Sequence, residues 1–170
     1  MGRLAGGAPT VVAPLVALLV TLLACSSAPE LSPGELEEVT ADLVGTTAPA
    51  FEAAADAAGV DAEPLRGLDL RACDPLLGED VGELVARRNL VLRASQDRGL
   101  VDRVDRAWRR LGLEPQRDRD EDEIRADVTV GPGVPAFLRL RSPVRVQDGS
   151  GRVLRVVEVV SDCVDVGRPV

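Results

Sequence analysis

An apolar run opens the chain. From Val11 to Leu23 only Pro14 and Thr21 interrupt it, and Arg3 is the single charged side chain before it. The run falls short of the roughly 18 to 20 apolar residues that span a bilayer core, and it gives way to small residues instead of charges. It therefore predicts a signal peptide over residues 1–24 in preference to a permanent transmembrane helix. Ser26 to Gly34, "SSAPELSPG", has no hydrophobic period. With Cys25 it reads as a tether over 25–34, reaching about 30 Å when fully extended.

Helical spacing follows. Ser32-Pro33-Gly34-Glu35 places an N-cap serine, a proline at the first helical position and a glutamate three residues on, which is a capping box. Leu36, Val39 and Leu43 carry the pattern to Gly45, and Phe51, Ala54, Ala55 and Ala58 resume it beyond Pro49. One kinked helix or two short ones, ending at Gly59, are predicted. Asp61 to Gly78 is irregular. Leu84, Ala86, Leu90 and Leu92 then alternate, predicting a strand from about Arg87, with Asp80–Arg87 open to one helical turn. Ser95 is placed to cap a helix whose apolar stripe is Leu100, Val101, Val104, Ala107, Trp108 and Leu111. Asp102–Arg106 and Asp105–Arg109 are i, i+4 pairs on its polar face, and Gly112 and Pro115 end it.

Glu114 to Glu123 is a charged loop, after which come three β-rich stretches: Ile124–Val130, Ala136–Val146 and Val153–Val164. Asp148-Gly149-Ser150-Gly151 is a turn signal that pairs the last two as a hairpin, and Pro143 marks a bulge or an edge position. Helices segregated from strands predict one α+β domain over 35–170, an antiparallel sheet of about four strands with helices on one face.

Leu22-Leu23-Ala24-Cys25 resembles the lipobox of bacterial lipoprotein precursors: an aliphatic residue, a variable one, a small one, then cysteine. That resemblance, confined to the first 25 residues, implies that Cys25 takes a diacylglycerol on sulfur and becomes the mature N-terminus. The simpler alternative is an ordinary secretory signal with an incidental cysteine. With Cys25 assigned to lipid, Cys73 and Cys163 remain in a chain expected to leave the cytoplasm. One disulfide between them is the economical expectation, and two free buried thiols are the alternative. The bridge would close a long loop, worth roughly 4 to 5 kcal/mol by chain entropy.

Charge narrows the partners. Removing residues 1–24 removes Arg3 and no acid, taking the formal net charge from −8 to −9. An acidic domain is a poor match for nucleic acid. Every basic side chain is Arg, a global bias with no single site behind it.

"RACDP", "DRAWRRLGL" and "VVSDCVDV" in the mature part resemble small lipoproteins of high-GC Gram-positive bacteria. The resemblance implies a cell-envelope protein and supplies no catalytic residues.

Most site chemistry is excluded or weak. The chain has no His, which rules out Ser-His-Asp and Cys-His arrangements and His-ligated zinc. Carboxylate pairs remain, but a glycosidase cleft uses aromatics, and Phe51, Phe137 and Trp108 are the only ones. Trp108 reads as core. Asp118, Asp120 and Asp122 have the spacing of the first calcium-loop ligands, yet Glu123 stands where Gly is needed and Thr129 where the bidentate Glu is needed. A solvated acidic loop is the better reading, and no metal site is expected. Gly131-Pro132-Gly133 reads as a turn and not a phosphate cradle. Arg139, Arg141 and Arg145 alternate with Leu138, Leu140 and Val144, giving either a basic ladder for an anion or, more simply, a solvent face.

The function expected is therefore a lipid-anchored, non-enzymatic binding module on the extracytoplasmic face of the cell membrane. It would have an envelope protein as partner and no cofactor. A carrier of a small apolar or lipid ligand is the alternative, because "FLRL" and "VVEVV" suit strands buried on both faces. A carboxylate-based hydrolase ranks last.

Overall fold

The computed structural model describes residues 28–61, 68–73, 81–118 and 122–166. Helix α1, Pro33–Ala58, begins where the capping box places it: Ser32 N–H donates to Glu35 Oε2 at 2.9 Å, and Glu35 N–H donates to Ser32 Oγ at 3.4 Å. It runs unbroken past Pro49, so a single helix forms and not two. Gly59 ends it at φ 68, a left-handed conformation glycine takes without strain. There Gly59 and Val60 N–H bond back to the Asp56 and Ala55 carbonyls, a Schellman pattern.

The sheet has eight strands, not about four. They are β1 (Asp69–Ala72), β2 (Val81–Arg93), β3 (Gln116–Asp118), β4 (Glu123–Val130), β5 (Val134–Leu140), β6 (Val144–Arg145), β7 (Arg152–Ser161) and β8 (Val164–Asp165). Four of these are long and four short. Their order is β1-β2-β7-β5-β4-β3, with β6 on β7 and β8 on β2, and every pairing between named strands is antiparallel. Of the short ones, β1 and β3 lie in segments with no period of their own.

β2 also begins at Val81, so residues 81–87 are strand and not a helical turn. Val81, Gly82, Leu84, Val85 and Ala86 are all buried, which erases the alternation that marks a half-buried strand. Two further helices follow, α2 (Ala94–Asp97) and α3 (Leu100–Arg110). Gly99, at φ 67, separates them and stands at the start of α3, where Ser95 was expected. Of the two i, i+4 pairs on α3, Asp105–Arg109 forms at 3.2 Å, whereas Asp102 pairs with Arg117 of β3 at 2.6 Å.

One face of the sheet is covered by helices. Leu84, Ala86, Leu90 and Leu92 of β2 pack in one cluster with Val157 and Val159 of β7, Leu138 and Leu140 of β5, and Ile124 and Ala126 of β4. Val39, Leu43, Phe51, Ala54 and Ala55 of α1 and Leu100, Val104 and Trp108 of α3 close the cluster from above. Trp108 is fully buried and donates from Nε1 to the Ala50 carbonyl at 2.9 Å, tying α3 to α1. Trp108→Ala is expected to cost about 3 to 5 kcal/mol of unfolding free energy in urea titrations, since it opens a cavity and removes that hydrogen bond.

Candidate functional site

The pole at which the chain enters the fold is held by three strands. Pro29 to Leu31 lies alongside β8: Leu31 N–H donates to the Asp165 carbonyl and Asp165 N–H to the Pro29 carbonyl, both at 3.0 Å. Leu31 is buried. β8 in turn pairs with β2 through Val81↔Asp165 and Gly82↔Val164. Beside it Cys73 and Cys163 form the expected disulfide, with Cα atoms 6.2 Å apart and a sequence separation of 90. Cys73 N–H donates to the Val81 carbonyl at 3.2 Å, so the bridge is seated on the ladder. Cys25 lies outside the described residues.

Glu83 offers a carboxylate oxygen within 4.8 Å of both sulfurs. The sulfurs are bonded to each other, and Glu83 Oε2 accepts from Arg71 Nε at 2.7 Å. A thiolate metal centre needs free sulfurs. The arrangement is a stitch reinforced by an ion pair.

The sheet face opposite the helices has two unlike halves. Near the disulfide it is meshed by charge. Arg125 stacks on Phe137 with its guanidinium carbon 4.0 Å from the ring centroid, Arg139 sits 5.6 Å from the same centroid, and Arg139 Nε donates to the buried Glu158 at 3.0 Å. Arg87 pairs with Asp69 at 3.1 Å, and Val85 and Val160 of this half are buried.

Towards the other end the mesh stops. Val91↔Leu154 and Leu154↔Val144 make an aliphatic row across β2, β7 and β6, with Asn89↔Val156 next to it. Val91 is 48 % exposed and Val144 60 % exposed, so the row meets solvent.

A bulge brings Val144 into that row. Arg141 N–H donates to the Val156 carbonyl, while Val144 stands opposite Leu154, so three steps along one strand match two along its partner. The extra residue, at Ser142-Pro143, shifts the alternation by one. Arg139 and Arg141 therefore face outward, Arg145 turns to the helix side opposite Val153, and the three arginines form no ladder. Pro143 signalled the bulge; its effect on the phase of the strand needed the register. The exposed row itself left one trace in the sequence, the consecutive Leu90, Val91 and Leu92, where alternation requires a polar residue in the middle.

Other candidates resolve into structural roles. Residues 119–121, within the acidic run, lie outside the described residues. Asp122 accepts from Arg155 Nη2 at 2.6 Å, and Asp97 accepts from Arg155 Nε at 2.7 Å. These acids line a groove of about 230 Å³ together with Asp102, whose partner is Arg117. Three of its carboxylates thus already hold an arginine.

Gly131-Pro132-Gly133 is the β4–β5 turn, and Gly131 N–H donates to Asp42 of α1 at 2.6 Å. A carboxylate already occupies the amide a phosphate would use. At Gly131 a Cβ would come within 2.7 Å of Val39 Cγ2, so only glycine lets helix and turn approach this closely.

Arg88, on the helix side of β2, is buried; its guanidinium lies 5.8 Å from the Phe51 centroid, and Nε and Nη1 have no hydrogen-bond partner among the described residues. Arg155, buried more deeply, has four hydrogen bonds.

Compared with family models, curated proteins and solved structures, the chain matches none.

Reducing the disulfide is expected to lower the melting temperature of the domain, and Cys73→Ser with Cys163→Ser to reproduce the reduced melt without further change on adding a thiol. Scanning calorimetry in both redox states reads this directly. The Thr46 hydroxyl, then the Gly131 amide, holds the Asp42 carboxyl below its ordinary range. A depressed folded pKa gives stability that is present above the unfolded carboxylate value and lost as pH falls through the folded one. Asp42→Asn should therefore weaken the domain near neutrality and flatten its loss of stability below about pH 4, read by urea titration across that range.

Proposed function

We propose that the protein is a cell-envelope lipoprotein, anchored through acyl chains on Cys25 at the extracytoplasmic face of the cell membrane. It acts there as a non-enzymatic interaction module. The observation that carries this reading is the lipobox pattern Leu22-Leu23-Ala24-Cys25 set just ahead of the point where the chain joins the sheet. Between Cys25 and Pro29 the chain can reach at most about 14 Å, since each residue adds no more than 3.3 to 3.6 Å. Acyl chains placed there hold the pole built from β8 and the disulfide near the lipid surface. Each buried methylene contributes about 0.8 kcal/mol, and two chains give durable anchoring where one does not.

Two features support the location. A disulfide that closes most of the domain is suited to an oxidising compartment. Among the described residues no helix is long and apolar enough to cross a membrane.

The interaction role is supported by the disposition of charge. Arginines and acids of the described residues are engaged with one another: Arg139 with Glu158, Arg155 with Asp97 and Asp122, Arg117 with Asp102. Cys25→Ser should move the chain from the membrane pellet to the soluble fraction, or leave the precursor unprocessed, on fractionation and immunoblotting. Unchanged retention and processing would refute the anchor.

A further inference from the structure

The bare half of the outer sheet face combines two properties. It is aliphatic at its centre, where Val91, Leu154, Val144 and Val156 form a strip over three neighbouring strands, about 10 Å across at the usual strand spacing. It is cationic at its edge, where Arg93 stands at the end of β2 and Arg141 beside Val156, both exposed and neither in an ion pair among the described residues. Helix α1 has the opposite character. Its exposed charges are Glu35, Glu37, Glu38, Glu52 and Asp56, with no base among them.

We infer that this strip is a docking surface for a partner protein's acidic segment carrying aliphatic side chains. Aliphatic contact supplies the affinity, and Arg93 and Arg141 select for carboxylates and against the cationic segments that the acidic face of α1 would otherwise attract. A second copy of this chain is the poorer fit, because its own strip is equally cationic and its acidic helix α1 buries its apolar side against the sheet. The strip also lies at the far end of β2 from Val81, roughly 30 Å along the strand at 3.3 Å per residue. If the pole at β8 sits on the membrane, the strip faces away from it. That direction rests on the anchored reading; the chemistry of the strip does not.

The test uses the full chain in nanodiscs of zwitterionic phospholipid. Three fluorescent peptides are titrated: alternating leucine and glutamate, alternating leucine and lysine, and alternating serine and glutamate. Only the first is expected to bind saturably, and Val144→Asp or Arg141→Glu, both at exposed positions, should each weaken it about tenfold. Circular dichroism confirms that the variants remain folded. Equal binding of the lysine peptide, equal binding of the serine peptide, or binding of none would overturn the inference. So would binding of phosphatidylglycerol vesicles that the same variants abolish, which would make the strip a lipid surface, or a dimer in light scattering that Val144→Asp dissolves. Failure of the chain to enter nanodiscs would strike the anchor alone, and the same peptides titrated against the chain in solution would still judge the strip.

Discussion

The long ladder between β2 and β7 is the contact on which the rest of this structure depends. Nine consecutive residue pairs, from Val85↔Val160 to Arg93↔Arg152, join the middle of the chain to its last long strand. Because side chains alternate strictly along a strand, that register decides at once which residues meet the helices and which meet solvent. Leu84, Ala86, Leu90 and Leu92 go inward together with Val157 and Val159. A slip of one residue would bring Arg87 and Glu158 beneath α1 and expose the leucines.

The ladder also organises both ends of the molecule. At one end, β2 gives Val81 and Gly82 to β8, and β8 receives Pro29 to Leu31. The same pairing brings Cys73 and Cys163 within bonding distance, so the disulfide locks a geometry the backbone has already formed. At the other end, Arg155 of β7 reaches Asp97 of α2 and Asp122 ahead of β4. A guanidinium does not deprotonate in a protein, so a buried arginine must find acceptors or bear the cost of going without. Arg155 finds four hydrogen bonds, and Arg88 sets its guanidinium over the ring of Phe51.

The outer face shows what happens where such compensation stops. Near the disulfide, Arg125, Phe137, Arg139 and Glu158 lie over one another and form a charged layer that suits an antiparallel sheet with one side in water. Beyond Arg141 the bulge at Ser142-Pro143 puts Val144, in place of Pro143, opposite Leu154. One inserted residue thus extends the aliphatic pair of Val91 and Leu154 onto a third strand.

Much of the fold was legible from residue pattern because its causes are local. Ser32 and Glu35 cap α1 through groups three residues apart, Trp108 lies on the apolar stripe of α3, Asp148 to Gly151 turns the last hairpin, and Cys73 and Cys163 had each other as natural partners. The pattern proposed as a lipobox is likewise a property of adjacent residues. What escaped was whatever exists only by pairing. β1, β3 and β8 contain two to four residues, too few to show a period, and are strands because β2 and β4 present open edges to them. The first half of β2 hid because both its faces are buried. The exposed strip hid because Val144 joins Val91 and Leu154 only through a shift in register. Capping, periodicity and turn chemistry act over a few residues and can be read along the chain, whereas register couples residues dozens of positions apart and is settled by the folded sheet alone.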